Sequence, residues 1–270
     1  KSITYNKHYV GSMPCMPARR DMQSGRHSFL HRSWGPIEPF DNSFLEIFKQ
    51  NKIYSHLISD HYHYWEDGGS TYHTRYNSFD FIRGQESDPW KALLTSPIER
   101  IQKKYHPSQN DINSKQNPYN YMINREFIKK EEDFPSVQCF KKGFEFLDIN
   151  KDADNYFLQI ETFDPHEPFF APERFKEKYK TNYKGPILDW PRYSRVTESQ
   201  NEIDELRANY FALLSLCDHL LGEVLDYFDK HDLWKDTALI CATDHGFLLG
   251  EHDWWAKNRM PLYEEISHIP

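Results

Sequence analysis

Cysteine is scarce in this chain: four residues among 270, at positions 15, 139, 217 and 241, with no C-x-x-C pair. That scatter argues against a disulfide framework and against a zinc knuckle. Basic charge is also in short supply, since 33 Lys and Arg face 41 Asp and Glu for a net charge of −8. A nucleic-acid backbone is therefore a poor partner, and any anion handled here must be met by a local site. Long apolar runs are missing too. None approaches the roughly 18 to 20 residues that span a bilayer, and the opening KSITYNKHYVGS lacks the apolar segment of a secretory signal. There is no internal repeat and no low-complexity tract.

What the chain does hold is aromatic surface. Hydrophobic residues make up 38% and aromatic residues 16%, a globular composition carried by Tyr, Phe and Trp. The length suits one α/β domain, read here as residues 1–270. Both ends are expected to be cut, because the chain opens on strand-like ITYNKHYV and stops on SHIP. Two irregular stretches interrupt it: a polar one over 97–133, read as a surface excursion or lid, and KYKTNYKGPILDWPRYSRVTES.

Periodicity places the main elements. From about Ser199 to Lys230, apolar residues recur at Leu206, Tyr210, Leu213, Leu214, Cys217, Leu220, Leu221, Val224, Leu225 and Phe228. This spacing predicts a helix with one broad stripe lying on a sheet, and Cys217 on the stripe is packing. IYSHLIS at 53–59, NYFLQIETF at 155–163 and TALICAT at 237–243 read as buried strands. Helical or irregular segments separate them, which predicts a mainly parallel central sheet with helices on both faces.

Ligands in such folds sit beyond the carboxyl ends of the strands. There the sequence has Asp60-His61-Tyr62-His63, Asp164-Pro165-His166 and Asp244-His245-Gly246. Three such groups at equivalent ends are expected to converge on one rim and supply carboxylate and imidazole for a metal or for proton transfer. Cys15 joins them. Pro17 suits a first helical turn and Gly25 a stop, so Cys15 is expected just before a helix N-terminus that favours negative charge, with Arg19 pointing back toward it.

Cys15-Met16-Pro17-Ala18-Arg19, followed by Ser24-Gly25-Arg26, resembles the C-x-P-x-R signature of the sulfatases, within the alkaline-phosphatase-like superfamily. ATDHGFLLGEHDWWAKNRMPLYEE resembles the family's S-D-H-G-x-x-x-G-E-H segment with its later lysine, and DPHEPF resembles its mid-chain histidine motif. The resemblance implies an alkaline-phosphatase-like fold and hydrolysis of a sulfate ester on a carbohydrate or another small alcohol. It implies that a formylglycine-generating enzyme oxidises Cys15 to formylglycine, and that a divalent cation, Ca²⁺ or in some members Mg²⁺, is held by Asp244, by the modified Cys15 and on the same side by His245. His245 stands where many relatives have Asn, so it either binds the metal or only contacts the nucleophile. Arg19 would stabilise the hydrated aldehyde, Lys257 would contact the sulfate, His166 would meet the ester oxygen as general acid, and His63 would support the nucleophile. An exported protein, periplasmic or secreted, is the family's usual condition, with a cytoplasmic one as the alternative.

The likeness has departures. His61 stands where the family has Lys, which predicts a sulfate contact that titrates near neutral pH. Ala18 replaces a common Ser. The family's paired aspartates normally precede the signature by several tens of residues, whereas fourteen residues precede Cys15 here. Half of the expected metal site is therefore all this stretch supplies, whether as a fragment, as one partner of another chain, or as a non-catalytic sugar- or anion-binding relative. The family's C-terminal subdomain is likewise expected to be missing. Relatives with formylglycine also cleave phosphonate monoesters and phosphodiesters, which stand as alternative substrates. The aromatic HYHYWEDGGSTYHTRYNSF offers a surface on which a sugar ring could stack.

Overall fold

The computed structural model describes residues 2–94, 98–109 and 119–269. In chain order its helices and strands are α1 (Cys15–Ser24), α2 (Phe44–Gln50), β1 (Tyr54–Ser59), β2 (Ser78–Phe81), α3 (Ile98–Lys104), α4 (Tyr119–Arg125), α5 (Pro135–Ile149), β3 (Tyr156–Glu161), α6 (Glu173–Lys176), α7 (Gln200–His231), β4 (Leu248–Leu249), β5 (Trp255–Ala256) and α8 (Glu264–Ser267). Strands β2, β1 and β3 form a parallel sheet in that order, while β4 and β5 pair as a short antiparallel hairpin. The parallel α/β reading is met. β2 was not anticipated, because SFDF is too short to show a period.

β1 is central because its residues satisfy both faces at once. Leu57, fully buried, packs among Met16, Leu45, Tyr64 and Tyr72, a burial worth about 1.5–3 kcal/mol. On the opposite face the His56 ring stacks on Phe146 of α5, centroids 5.0 Å apart. α1 ends where expected: Gly25 adopts φ 67° and its N–H bonds Asp21 O at 2.8 Å, a left-handed geometry that a side chain disfavours. Its start differs by a few residues. Cys15 is already the first helical residue and Pro17 the third, so the nucleophile candidate lies in the first turn instead of ahead of it.

α7 runs where the periodicity placed it, opened by a capping box between Ser199 and Glu202. Its stripe packs on other partners than the sheet foreseen. Leu206, Leu213, Leu216 and Leu220 cluster with Phe169, Phe175, Leu188, Leu249 and Trp255, flanked by Val137 and Phe140 of α5. Leu214 and Leu225, counted in the stripe, are exposed at its margin.

TALICAT is a clear correction. Residues 237–243 carry no strand assignment, and Ile240 is 82% exposed. An apolar run becomes a strand only when a neighbour completes its ladder, and among the described residues none does. The opening ITYNKHYV is similar: it contributes an isolated bridge, Tyr9 to His268, not a strand. Of the polar span 97–133, residues 97 and 110–118 lie outside the described residues. The rest buries Ile101, Tyr105, Tyr121 and Met122 in one cluster with Ile187 and Trp190 packed against it, more apolar than its composition suggested.

Candidate active site

Helical spacing brings Arg19 back over the first turn of α1. Its Nη1 donates to Cys15 O at 3.0 Å and to Asp244 Oδ2 at 2.7 Å, while Nε donates to Glu161 Oε1 at 2.6 Å. One guanidinium thus ties α1 to the end of β3 and to the Asp-His-Gly turn, as a planar fork can and an ammonium cannot. The Asp-His-Gly turn needs its glycine, because a Cβ on Gly246 would sit 1.8 Å from Glu265 O.

Around Cys15 the polar groups interlock. Its Sγ lies 3.4 Å from His245 Nε2 and 3.6 Å from Lys257 Nζ, and the lysine is 3.5 Å from the same imidazole nitrogen. His245 Nδ1 faces Gly246 O at 2.9 Å. A carbonyl only accepts, so the proton sits on Nδ1 and Nε2 presents its lone pair to residue 15. Both roles foreseen for His245, metal ligand and contact of the nucleophile, therefore fall to one nitrogen.

Electrostatics sharpen this core. Burial pushes the Asp244 carboxyl up, but His245, Arg19 and Lys257 outweigh it and hold it well below the usual carboxylate range. Burial and the charge of Lys257 push His245 down to about 4, so it is neutral at neutral pH. For Lys257, burial is overcome by Cys15, Glu167 and Asp244, which keep the ammonium charged. Burial raises the Cys15 thiol, with Lys257 opposing. An unmodified thiol here stays protonated and is a poor nucleophile.

The other three histidines gather on Phe163. Its ring lies 4.7 Å from His61, 5.8 Å from His63 and 4.4 Å from His166, centroid to centroid. His61, 1% exposed, puts Nε2 3.4 Å from Met16 Sδ. Burial, then Arg19, pushes its imidazole well below the ordinary value. The near-neutral titration expected of His61 is thus not what its setting gives, and the ring does not face solvent. His63 is placed differently from expectation. Its Nδ1 meets Glu66 Oε2 at 2.7 Å and its Nε2 lies 3.5 Å from Glu86 Oε2, so its two nitrogens face carboxylates instead of Cys15. His166 Nδ1 faces Glu167 O at 2.7 Å.

The carboxylates of Asp60 and Asp164 turn inward instead of to the rim. Asp60 Oδ1 accepts Phe163 N at 2.7 Å, and Asp164 accepts Gln85 Nε2 and Ser136 Oγ, each at 2.6 Å. They brace the strand ends. Sequence reasoning missed Glu66, Glu86, Glu161 and Glu167, the acids that hold His63, Arg19 and His166. Glu167, beside His166, and Glu66, three residues after His63, had a local signal. The sugar-stacking surface is also corrected: Tyr62, Tyr64, Tyr72 and Tyr76 are buried, and Trp65 stacks on Phe81 at 3.8 Å.

A donor atom each from Cys15, Asp244 and His245 lies within 4.8 Å of the other two. One carboxylate, one imidazole lone pair and the position-15 side chain fit one side of a divalent site. A hard cation prefers oxygen, which an oxidised residue 15 would offer and a thiol does not.

Comparison with known proteins bears on the family and the fold. The sequence model of the family described as Sulfatase matches residues 1–270. A multifunctional alkaline phosphatase superfamily protein, PehA, of Trinickia caryophylli is 22% identical over 95% of this chain and 57% of its own length. Arylsulfatase K of Gallus gallus is 23% identical over 97% of this chain and 49% of its own. The chain therefore spans about half the length of these curated relatives. Among solved structures, the phosphonate monoester hydrolase of Agrobacterium radiobacter superposes with a TM-score of 0.68 at 14% identity, covering 98% of this chain and 59% of that one. That likeness establishes the alkaline-phosphatase-like fold.

Proposed function

The chain belongs to the sulfatase family, and on that premise we propose that the protein hydrolyses a sulfate ester of a carbohydrate or another small alcohol, with residue 15 as formylglycine. The observation that carries this reading is the convergence of Arg19, Asp244, His245 and Lys257 on Cys15 at a helix N-terminus. As encoded, the residue best placed to attack is a weak nucleophile, because burial raises its thiol.

When present, the divalent cation, Ca²⁺ or Mg²⁺ held by Asp244, His245 and residue 15, would supply Lewis acidity to the formylglycine hydrate and the sulfate oxygens. The remaining work falls to the chain's own side chains. Lys257 and the α1 N-terminus bind the tetrahedral anion in a water-poor setting where their charge counts for most. Arg19 holds Asp244 in place and draws negative charge toward residue 15. His245, neutral with its one free lone pair on Nε2, faces residue 15 and would spend that lone pair as a ligand of the cation. His166 protonates the departing alcohol oxygen. A formylglycine-generating enzyme is the partner required for maturation, and the periplasm or the cell exterior is the proposed location.

Hydrolysis of nitrophenyl sulfate by protein co-expressed with a formylglycine-generating enzyme tests the proposal, with Cys15→Ala expected to abolish turnover while leaving thermal unfolding unchanged. Retained activity in that variant refutes the nucleophile assignment. A second reading, phosphonate monoester or phosphodiester cleavage, is favoured by the chemistry of the pocket, since Lys257 and Arg19 read anionic charge and not the central atom. Faster cleavage of a phenylphosphonate ester than of the sulfate would transfer the assignment. Saturable binding of a sulfated sugar with no turnover would instead mark a non-catalytic relative.

A further inference from the structure

Glu167 follows the proposed general acid in sequence but is not spent on the turn that carries it. Its side chain is 1% exposed, and burying a carboxylate without a task is costly. Tyr193 donates its hydroxyl to Oε1. Among the described residues Oε2 has no hydrogen-bond partner, and it lies 3.3 Å from His166 Nδ1. The same nitrogen sits 2.7 Å from the Glu167 main-chain oxygen, so Nδ1 carries the proton and Nε2 is the nitrogen left for proton transfer. The Phe163 ring packs edge-on at 4.4 Å and limits rotation of the imidazole.

The surroundings make an imidazolium hard to form. Burial, then the charge of Lys257, pushes the His166 imidazole well below its ordinary value. Glu167 is the acid set directly against this ring, and Tyr193 orients it from behind. This is the base-plus-orienting-carboxylate arrangement, in which the acid fixes the ring and offsets the charge that appears on it.

We propose that Glu167, held by Tyr193, is the positioning residue of His166: it fixes the ring with Nε2 toward the ester oxygen and balances the imidazolium from which the leaving group takes its proton. The proposal rests on the reading of His166 as general acid. In the step itself the S–O bond breaks with its electron pair passing to the alcohol oxygen. The Nε2–H proton moves to that oxygen, Nε2 keeps the N–H pair, and the proton on Nδ1 stays facing Glu167.

The test compares wild type, His166→Ala, Glu167→Gln and Glu167→Asp on two sulfate esters, nitrophenyl sulfate with a good leaving group and an alkyl sulfate with a poor one. A leaving group that departs without help needs no acid, so both His166→Ala and Glu167→Gln should lose roughly ten-fold to a hundred-fold more on the alkyl ester than on the aryl ester. Glu167→Asp should recover part of that difference. Equal losses on both esters in Glu167→Gln, with His166→Ala still selective, overturn the proposal and leave the general acid standing. A His166→Ala variant without selectivity overturns the general-acid reading itself. The Nδ1–H proton resonance of His166 provides a second readout: it should move upfield in Glu167→Gln, and an unmoved signal counts against the carboxylate contact.

Discussion

The two halves of the site are built on opposite electrostatic plans. Around residue 15, charges of both signs touch directly: Arg19 spans Asp244 and Glu161, and Lys257 lies against Cys15 and His245. On the Phe163 side the core is three imidazoles, two of them backed by buried carboxylates. Fixed charge suits the reception of an anion, because the groups stay ionised whatever arrives. His61 and His166, which burial makes hard to protonate, suit a proton that is given up once and quickly. Under the proposed function, the anion belongs to one half and the leaving group to the other.

The largest expected effect comes from breaking the charged half. Asp244→Asn leaves Arg19 and Lys257 without their shared carboxylate and should lower kcat/KM on nitrophenyl sulfate by on the order of 10³-fold, read by steady-state kinetics; a loss below ten-fold would place the site elsewhere. Arg19→Lys keeps the charge but cannot span Cys15 O, Asp244 and Glu161 together, so a roughly ten-fold to hundred-fold loss is expected. On the histidine side the sharper reading is thermodynamic. Burial pushes the Asp164 carboxyl up to about 6, so the folded state holds that proton more tightly than the unfolded one. The stability it contributes is full below the unfolded value near 4 and is lost as pH rises through about 6, a change on the order of 2–3 kcal/mol. Unfolding followed against pH should show this fall in wild type and not in Asp164→Asn; identical profiles would mean the carboxyl titrates normally. Smallest of all, Leu214→Gln on the exposed margin of α7 should change stability by less than about 0.5 kcal/mol, a control by chemical denaturation that separates site effects from damage to the scaffold.

Which parts could be foreseen follows from the range of the forces involved. Cys15 and Arg19 were legible because a four-residue interval on a helix fixes their proximity. Asp244-His245-Gly246 was legible through its likeness to the family motif, although the run before it forms no strand. The α7 stripe showed itself through its period, yet the partners it packs on did not, since periodicity names a face and not what covers it. Glu161 stands 142 residues from Arg19, and no local pattern announces such a pair. TALICAT misled for the converse reason: apolar composition marks a candidate strand, but a strand is a relation between two segments. His61 misled through analogy, because a histidine in a lysine's place keeps its ordinary titration only where water reaches it.

The most direct measurement is the mass of the peptide containing residue 15, taken from protein co-expressed with a formylglycine-generating enzyme. Cys15, Pro17 and Arg19, the residues such an enzyme is expected to read, should yield formylglycine at position 15. Recovery of the unmodified cysteine from protein made under those conditions would contradict it.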